Sequence, residues 1–368
     1  MLSNNTRAMY NHTNQTETGS DSMKLEAFRD QLDLAEKIIL IIFAVCTILG
    51  NTLVLIATWR ERRLHQPNKY FIACLAAADL LVGMIVEPLK VYYSSLNDES
   101  AKAMSIHLCR FIVWTDTFAL TASIYTLTFI SFDRFFKIRK PLQYKSRMTT
   151  SKSVKIIFTI CLISTAFATY AATPDSGSNY GLVCSPANFG EIKGYRYYTF
   201  LAVSAFFLPT VVMLVMYALV FVIVYKRQKM LRNGELGQTC NDQNQRSAFL
   251  QDLKTIRMLL VVVGVFILCW GPEFIFLLFL YNYPVLNDHE DRSLSYWYLF
   301  FAGATLAFTL PFFNSLCNPI IYACLDQTYG AAFKNLFRQM MCRPSPRRRQ
   351  VPVAIELPPL RTRQTNIH

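Results

Sequence analysis

The run Phe111–Phe132, FIVWTDTFALTASIYTLTFISF, is long enough to cross a bilayer and carries a single charge, Asp116. A carboxylate in hydrocarbon is costly, and it persists only where it faces the protein interior and meets a partner, so Asp116 is expected to be functional. On an α-helix the steps from Cys109 to Asp116, from Asp116 to Ser123 and from Ser123 to Arg134 each return to nearly the same angle at 100° per residue. One face therefore runs from a cysteine through an acid to an arginine. At about 1.5 Å per residue, Asp116 and Arg134 stand ~27 Å apart on that face.

Outward from this run, the chain of 368 residues is 53% hydrophobic and only 17% charged. A soluble chain would carry about a quarter charged residues. The deficit is concentrated in seven segments: Ile38–Trp59, Phe71–Leu89, Phe111–Phe132, Ile156–Pro174, Tyr197–Tyr225, Met258–Leu286 and Tyr296–Leu325. Each has the length of a spanning helix. The expected fold is an all-α membrane protein, a seven-helix bundle over residues 35–325. A tail precedes it at 1–34, a short amphipathic helix follows at 326–342, and a disordered cytoplasmic tail occupies 343–368.

Basic residues set the orientation. Arg60, Arg62, Arg63 and Lys69 follow the first segment, Lys137, Arg139, Lys140, Lys145 and Arg147 the third, and Lys226, Arg227 and Lys229 the fifth. Those loops are expected in the cytoplasm and the N-terminus outside, as in a multi-pass protein of the plasma membrane. The net charge of +13 is then a matter of topology and an anionic inner leaflet, and nucleic-acid binding is set aside. Residues 1–33 hold no apolar core of a signal peptide, so the first span is expected to act as the insertion signal. Three N-x-[ST] sequons, at Asn4, Asn11 and Asn14, cluster on this outer tail and are expected glycan acceptors. The polar stretch 230–250 reads as a flexible cytoplasmic loop.

Of ten cysteines, Cys109 and Cys184 are the two on the oxidising side, and a disulfide between them is expected to pin the loop before the fifth span over the Asp116 end. Asp326–Met341 places Ala332, Phe333, Leu336 and Phe337 on one face and Lys334 and Arg338 on another, the pattern of a helix lying on membrane lipid. Cys342, just beyond, is either a palmitoylation site or a free thiol.

Gly50-Asn51, Leu75 to Asp79, Asp133-Arg134-Phe135, Cys269-Trp270-Gly271-Pro272 and Asn318-Pro319-Ile320-Ile321-Tyr322 occur in order, one in each appropriate span. In this the chain resembles the class A, rhodopsin-like G protein-coupled receptors over roughly residues 35–342. The resemblance implies an outer ligand pocket and an inner face that acts on a heterotrimeric G protein, with arrestin and a receptor kinase as further partners. Asp252 lies five turns before Trp270 and so presents an acid at the depth of Arg134; by resemblance this pair, with Asp133, locks the inactive state. Asp79, Ser123, Asn314, Ser315 and Asn318 gather oxygens around one carboxylate. Such a cage suits a hard monovalent cation, and the resemblance implies an allosteric sodium ion; a water-filled polar network is the alternative. Ile124, Pro209 and Phe266 resemble the family's packing switch, and Tyr217 and Tyr322 its inner tyrosine pair. No other cofactor is implied.

The text around Asp116 is most similar to biogenic-amine receptors, histamine and muscarinic ones in particular, where an aspartate pairs with a protonated amine. A carboxylate in a low-dielectric cleft attracts a cation far more strongly than in water. Trp114, Trp270, Phe274, Phe308 and Phe312 are expected to add aromatic faces. The chain departs from that pattern in several places. Leu201, Ala202 and Ala205 stand where catecholamine receptors carry serines, Phe312 and Thr309 replace a tyrosine and a tryptophan, and Cys161 replaces the tryptophan of the fourth span. Glu273, after Pro272, adds a second acid near the same cavity. It either suits a ligand with two cationic ends or is neutralised locally. A basic-peptide receptor is the runner-up reading and a transporter a weaker one. A retinal pigment is excluded because Tyr296–Leu325 contains no lysine, and no nucleophile, metal or phosphate motif supports an enzyme.

Overall fold

The computed structural model describes residues 18–61, 64, 66–67, 69–96, 106–173, 196, 199–232, 240–282 and 293–341. They fold into α1 (Thr18–Arg60), α2 (Lys69–Ser94), α3 (Ile106–Arg139), α4 (Thr150–Ala171), α5 (Thr199–Met230), α6 (Cys240–Asn282), α7 (Leu294–Leu325) and α8 (Gln327–Met340). A short helical segment, Pro141–Arg147, joins α3 to α4. No strand occurs among the described residues. The first seven helices form the expected bundle.

Six of the seven are long and apolar enough to cross a membrane on length and composition. The remaining one, α3, has 34 residues, about 51 Å, and falls outside that set on composition. Its position explains this. α3 packs on α2, α4, α5 and α6, while α7 closes the ring against α6 and α1. A helix surrounded by protein can carry hydroxyls, provided they are satisfied without water. Thr115, Thr121, Thr128 and Ser131 each donate to the carbonyl four residues earlier, at 2.7–2.9 Å.

Prolines shape the remaining helices, because each removes an N–H and crowds the preceding turn. Before Pro88, α2 widens into a π-helical turn over Val82–Val86, closed by the Glu87 N–H on Val82 O. Before Pro209, α5 does the same over Ala202–Phe207, with the Leu208 N–H on Val203 O. In α7, Pro319 leaves the carbonyl of Ser315 without its intrahelical donor. The Asn51 side-chain amide supplies one from α1, at 3.2 Å. Gly50 makes this approach possible, since a Cβ there would meet Pro319 Cγ at 2.9 Å. The two motifs Gly50-Asn51 and Asn318-Pro319 are thus the two sides of a single contact.

At the inner end α8 is seated by polar contacts as well as by its apolar face. Asp326 caps its first turn by accepting from the N–H groups of Thr328 and Tyr329. The same carboxylate forms a buried ion pair with Lys69 of α2. Lys69 also stands 4.8 Å from the ring centroid of Tyr329, whose hydroxyl shares a 2.9 Å hydrogen bond with Thr58 of α1. Ala332 is buried, Phe333 and Leu336 pack on the core, and Phe337 is left exposed.

Two segments differ from the sequence expectation. α1 begins at Thr18, well before Ile38, because Leu25, Phe28 and Leu32 find an apolar platform on α7 built from Trp297, Phe301 and Tyr298. The described part of 230–250 is helical: helical backbone continues past the Met230 end of α5 to Arg232, and α6 starts at Cys240, with 233–239 outside the described residues. The polar sequence hid this, since a helix extending into water needs no apolar stripe on every turn. The sequons, Cys184, Cys342 and the tail 343–368 also lie outside the described residues.

Removing one partner of a buried ion pair leaves the other uncompensated, at a cost of about 3–5 kcal/mol. Lys69→Met or Asp326→Leu should therefore lower the melting temperature of the detergent-solubilised protein markedly. The double variant should recover part of the loss. Single and double variants melting alike would show that the pair contributes little.

Candidate functional site

Asp116 of α3 and Glu273 of α6 are both half-buried at the outer half of the bundle. Each lies within electrostatic reach of the other. Among the described residues neither accepts a hydrogen bond or forms an ion pair. Beside them runs an aromatic ladder: Trp270 against Phe274 at 6.0 Å, Phe274 stacked on Phe206 at 4.9 Å, and Phe206 on Phe266 at 5.7 Å. Phe206 comes from the π-helical turn of α5 and was not singled out by the sequence. Ile124 and Phe266 are fully buried in the same cluster, and Pro209 is buried next in the chain.

The remaining aromatic candidates are placed differently. Phe308 is half-buried, edge-on to Phe276 at 5.6 Å. Phe312 sits between α1 and α2 with Leu40 and Val86. Its face is taken by a cation belonging to the chain, the ammonium of Lys90, 4.6 Å from the ring centroid. Trp114 stacks on Phe118 and donates to Thr169 of α4, which turns it toward that helix.

Lys90, Glu36 and Glu87 are the residues that the sequence reading passed over. Lys90 pairs with Glu36 of α1 at 2.8 Å and donates to the Phe308 carbonyl at 3.1 Å. Asp116, Glu273 and Glu87 all lie within its field. Glu87 is fully buried, and neither of its carboxyl oxygens has a hydrogen-bond partner. The signal was present in the text Glu87-Pro88-Leu89-Lys90. An acid inside a span, followed at i+3 by a lysine, has the spacing of a helical pair, and the proline marks the π-helical turn that comes just before them.

In the middle of the bundle Asp79 is fully buried. Ser315 donates to one of its oxygens and Asn318 to the other, both at 2.8 Å. Ser123 and Asn314 are buried, and the side-chain carbonyls of Asn314, Asn318 and Asn51 have no donor. The cluster thus has donors for its carboxylate and acceptors left over.

At the inner end Arg134 lies 3.5 Å from Asp133, whose other oxygen accepts from Tyr144 at 2.7 Å. Tyr144 belongs to the segment Pro141–Arg147. Tyr217 lies close to Ser131 and Arg134. Tyr322 packs on Tyr329 at 5.8 Å. Asp252 lies on α6, but its side chain is outside the described part of the structure. Cys109 is disulfide-bonded, while its expected partner Cys184 lies outside the described residues.

The profile of the 7 transmembrane receptor (rhodopsin family) matches residues 50–322, from the Gly50 that abuts Pro319 to Tyr322. The chain belongs to this family, the class A G protein-coupled receptors, whose members are not enzymes. It is similar to the alpha-1A adrenergic receptor of Oryzias latipes, 28% identical, covering 83% of this chain and 67% of that receptor. The adenosine receptor A2a of Homo sapiens is also 28% identical, covering 82% and 71%. Trace amine-associated receptor 5 of Rattus norvegicus is 28% identical, covering 81% and 83%.

A fully buried carboxyl without a donor carries a desolvation cost of about 1–3 kcal/mol. Glu87→Leu, which removes it without leaving a large void, is expected to raise the melting temperature in detergent. An unchanged or lower value would mean that Glu87 has a partner.

Proposed function

We propose that this receptor responds to an extracellular cationic ligand, a biogenic amine or diamine, held by Asp116, and that it activates heterotrimeric G proteins at the plasma membrane. The observation carrying this reading is that Asp116 and Glu273 are half-buried acids of the outer bundle to which no donor is supplied among the described residues. A protonated amine supplies a charge-assisted hydrogen bond to such a group. A neutral nucleoside leaves both acids uncompensated, which sets the adenosine-like relative apart on chemical grounds. A catechol would meet Leu201, Ala202 and Ala205, all buried and apolar, in place of hydroxyls.

Trp270 borders the ligand and reports its arrival through the ladder Phe274, Phe206 and Phe266 to Ile124, the packing contact over which α6 moves. The cluster around Asp79 fits a sodium ion: one carboxylate supplies charge, and the spare carbonyls of Asn314 and Asn318, with Ser123, supply neutral oxygens. A bound ion would compensate the buried charge and favour the arrangement in which these residues converge. At the inner face Asp133 restrains Arg134, and Tyr144 holds Asp133 in turn, with Asp252 as the expected second restraint. Arrestin and a receptor kinase would share this face after activation. The N-terminus, with its sequons, is outside.

Asp116→Asn is expected to abolish the response to protonated amines, scored as G protein dissociation, with surface expression unchanged. Unaltered potency would remove the cationic ligand. Asp79→Asn should make agonist binding insensitive to replacing sodium by a large organic cation; persistent sensitivity would place the ion elsewhere. Tyr144→Phe, which takes a hydrogen bond worth about 1.5–3 kcal/mol from a charged acceptor, should raise basal signalling, as should Asp133→Ala. Basal activity equal to wild type in both would show that Arg134 is restrained by other groups.

A further inference from the structure

The Lys90 ammonium is buried with three partners on one side of it: the Glu36 carboxylate of α1 at 2.8 Å, the Phe308 carbonyl of α7 at 3.1 Å, and the Phe312 ring at 4.6 Å. Asp116 and Glu273 approach it from α3 and α6 without an ion pair among the described residues. The two acids therefore have a potential counter-ion within the chain, and Glu36 holds that counter-ion in an ion pair of its own.

We propose that the Glu36–Lys90 pair selects the ligand: by fixing Lys90 at the α1–α7 side, it leaves Asp116 and Glu273 as two acids without a cation, which a dication, with an ammonium group for each, matches best. This rests on the cationic-ligand reading above. Glu36 is the only carboxylate paired with Lys90 among the described residues. If it is neutralised, the ammonium keeps its charge but loses its anionic anchor, and its flexible stem lets it turn to Asp116 and Glu273. The chain then supplies one of the two cations, and a ligand with a single amine suffices. If Lys90 is removed instead, both acids remain uncompensated and the demand for two cations persists. The two substitutions thus act in opposite directions on selectivity, although both break the same tie between α1 and α2. Glu87, the other acid in the field of Lys90, and Asp79, which acts on Glu87, are fully buried, so no ligand reaches them, and both are present in every form compared.

The test is a thermal-shift titration of the purified full-length receptor with benzylamine and with 4-(aminomethyl)benzylamine, which differ by one amine. Wild type should bind the diamine at least about tenfold more tightly, the effect of one charge-assisted contact. Glu36→Gln should bring the ratio of the two affinities close to one, whereas Lys90→Met should keep it or raise it. The exchange Glu36→Lys with Lys90→Glu places both charges again and should keep the preference, which decides the matter if either single variant fails to fold. The proposal is overturned if Glu36→Gln leaves the ratio unchanged, if Lys90→Met collapses it equally, or if the exchange loses it. A wild type that binds both amines equally, with Asp116→Asn binding neither, sinks this inference and leaves the cationic ligand standing. A wild type that binds neither amine, or an Asp116→Asn form that binds both as wild type does, sinks both.

Discussion

The cost of holding a charge inside an apolar bundle organises this protein, and four of its buried acids meet that cost each in its own way. Asp79 takes two hydrogen bonds from α7. Asp133 takes a tyrosine hydroxyl and the neighbouring arginine. Asp326 takes a lysine and two helix N–H groups, and Glu36 takes Lys90. In hydrocarbon, where water supplies nothing, these pairings decide which helices can be neighbours. Among the described residues no donor reaches Asp116, Glu273 or Glu87, and of these three only Asp116 and Glu273 are partly exposed. The natural place for an external cation is where the internal pairing stops.

Proline governs the backbone in a complementary way. Every proline within a helix frees a carbonyl and crowds a turn, and the chain puts the disturbance to use. Ser315 O, released by Pro319, receives the Asn51 amide and fastens α7 to α1. The π-helical turns before Pro88 and Pro209 offset the helix that follows. They bring Glu87 and Lys90 into the bundle from α2, and Phe206 into the aromatic ladder from α5. The first turn comes just before the charged pair and the second contains Phe206.

The activation path proposed above is a chain of contacts of different kinds. Aromatic packing runs from Trp270 to Phe266, oxygen-rich chemistry surrounds Asp79, and ion pairing holds Arg134. Packed rings and buried ion pairs have discrete alternatives in place of gradual ones, so a small displacement at the outer end can be passed on as a change of state.

The seven spans were legible as stretches of about twenty residues with almost no charge, the length a spanning helix requires, although α3 falls short of the other six in apolar character. Asp116, Asp79 and Arg134 were legible for the same reason, each being a polar residue where apolar ones are demanded. The family followed from motif order. The start of α1 at Thr18 and the helical ends of 230–250 were not legible. A helix outside the membrane is stabilised by whatever it packs on, and Leu25 declares its partner Trp297 only once the chain is folded. Nor was the partnership of Glu36 with Lys90, since the two come from different helices, 54 positions apart, and ion pairing depends on distance in space. The sequence determined which groups must avoid lipid; the tertiary structure decided which of them neutralise one another, because a helix's residue types set its burial, whereas its neighbours and the turn introduced by Pro88 set the direction in which each charge points.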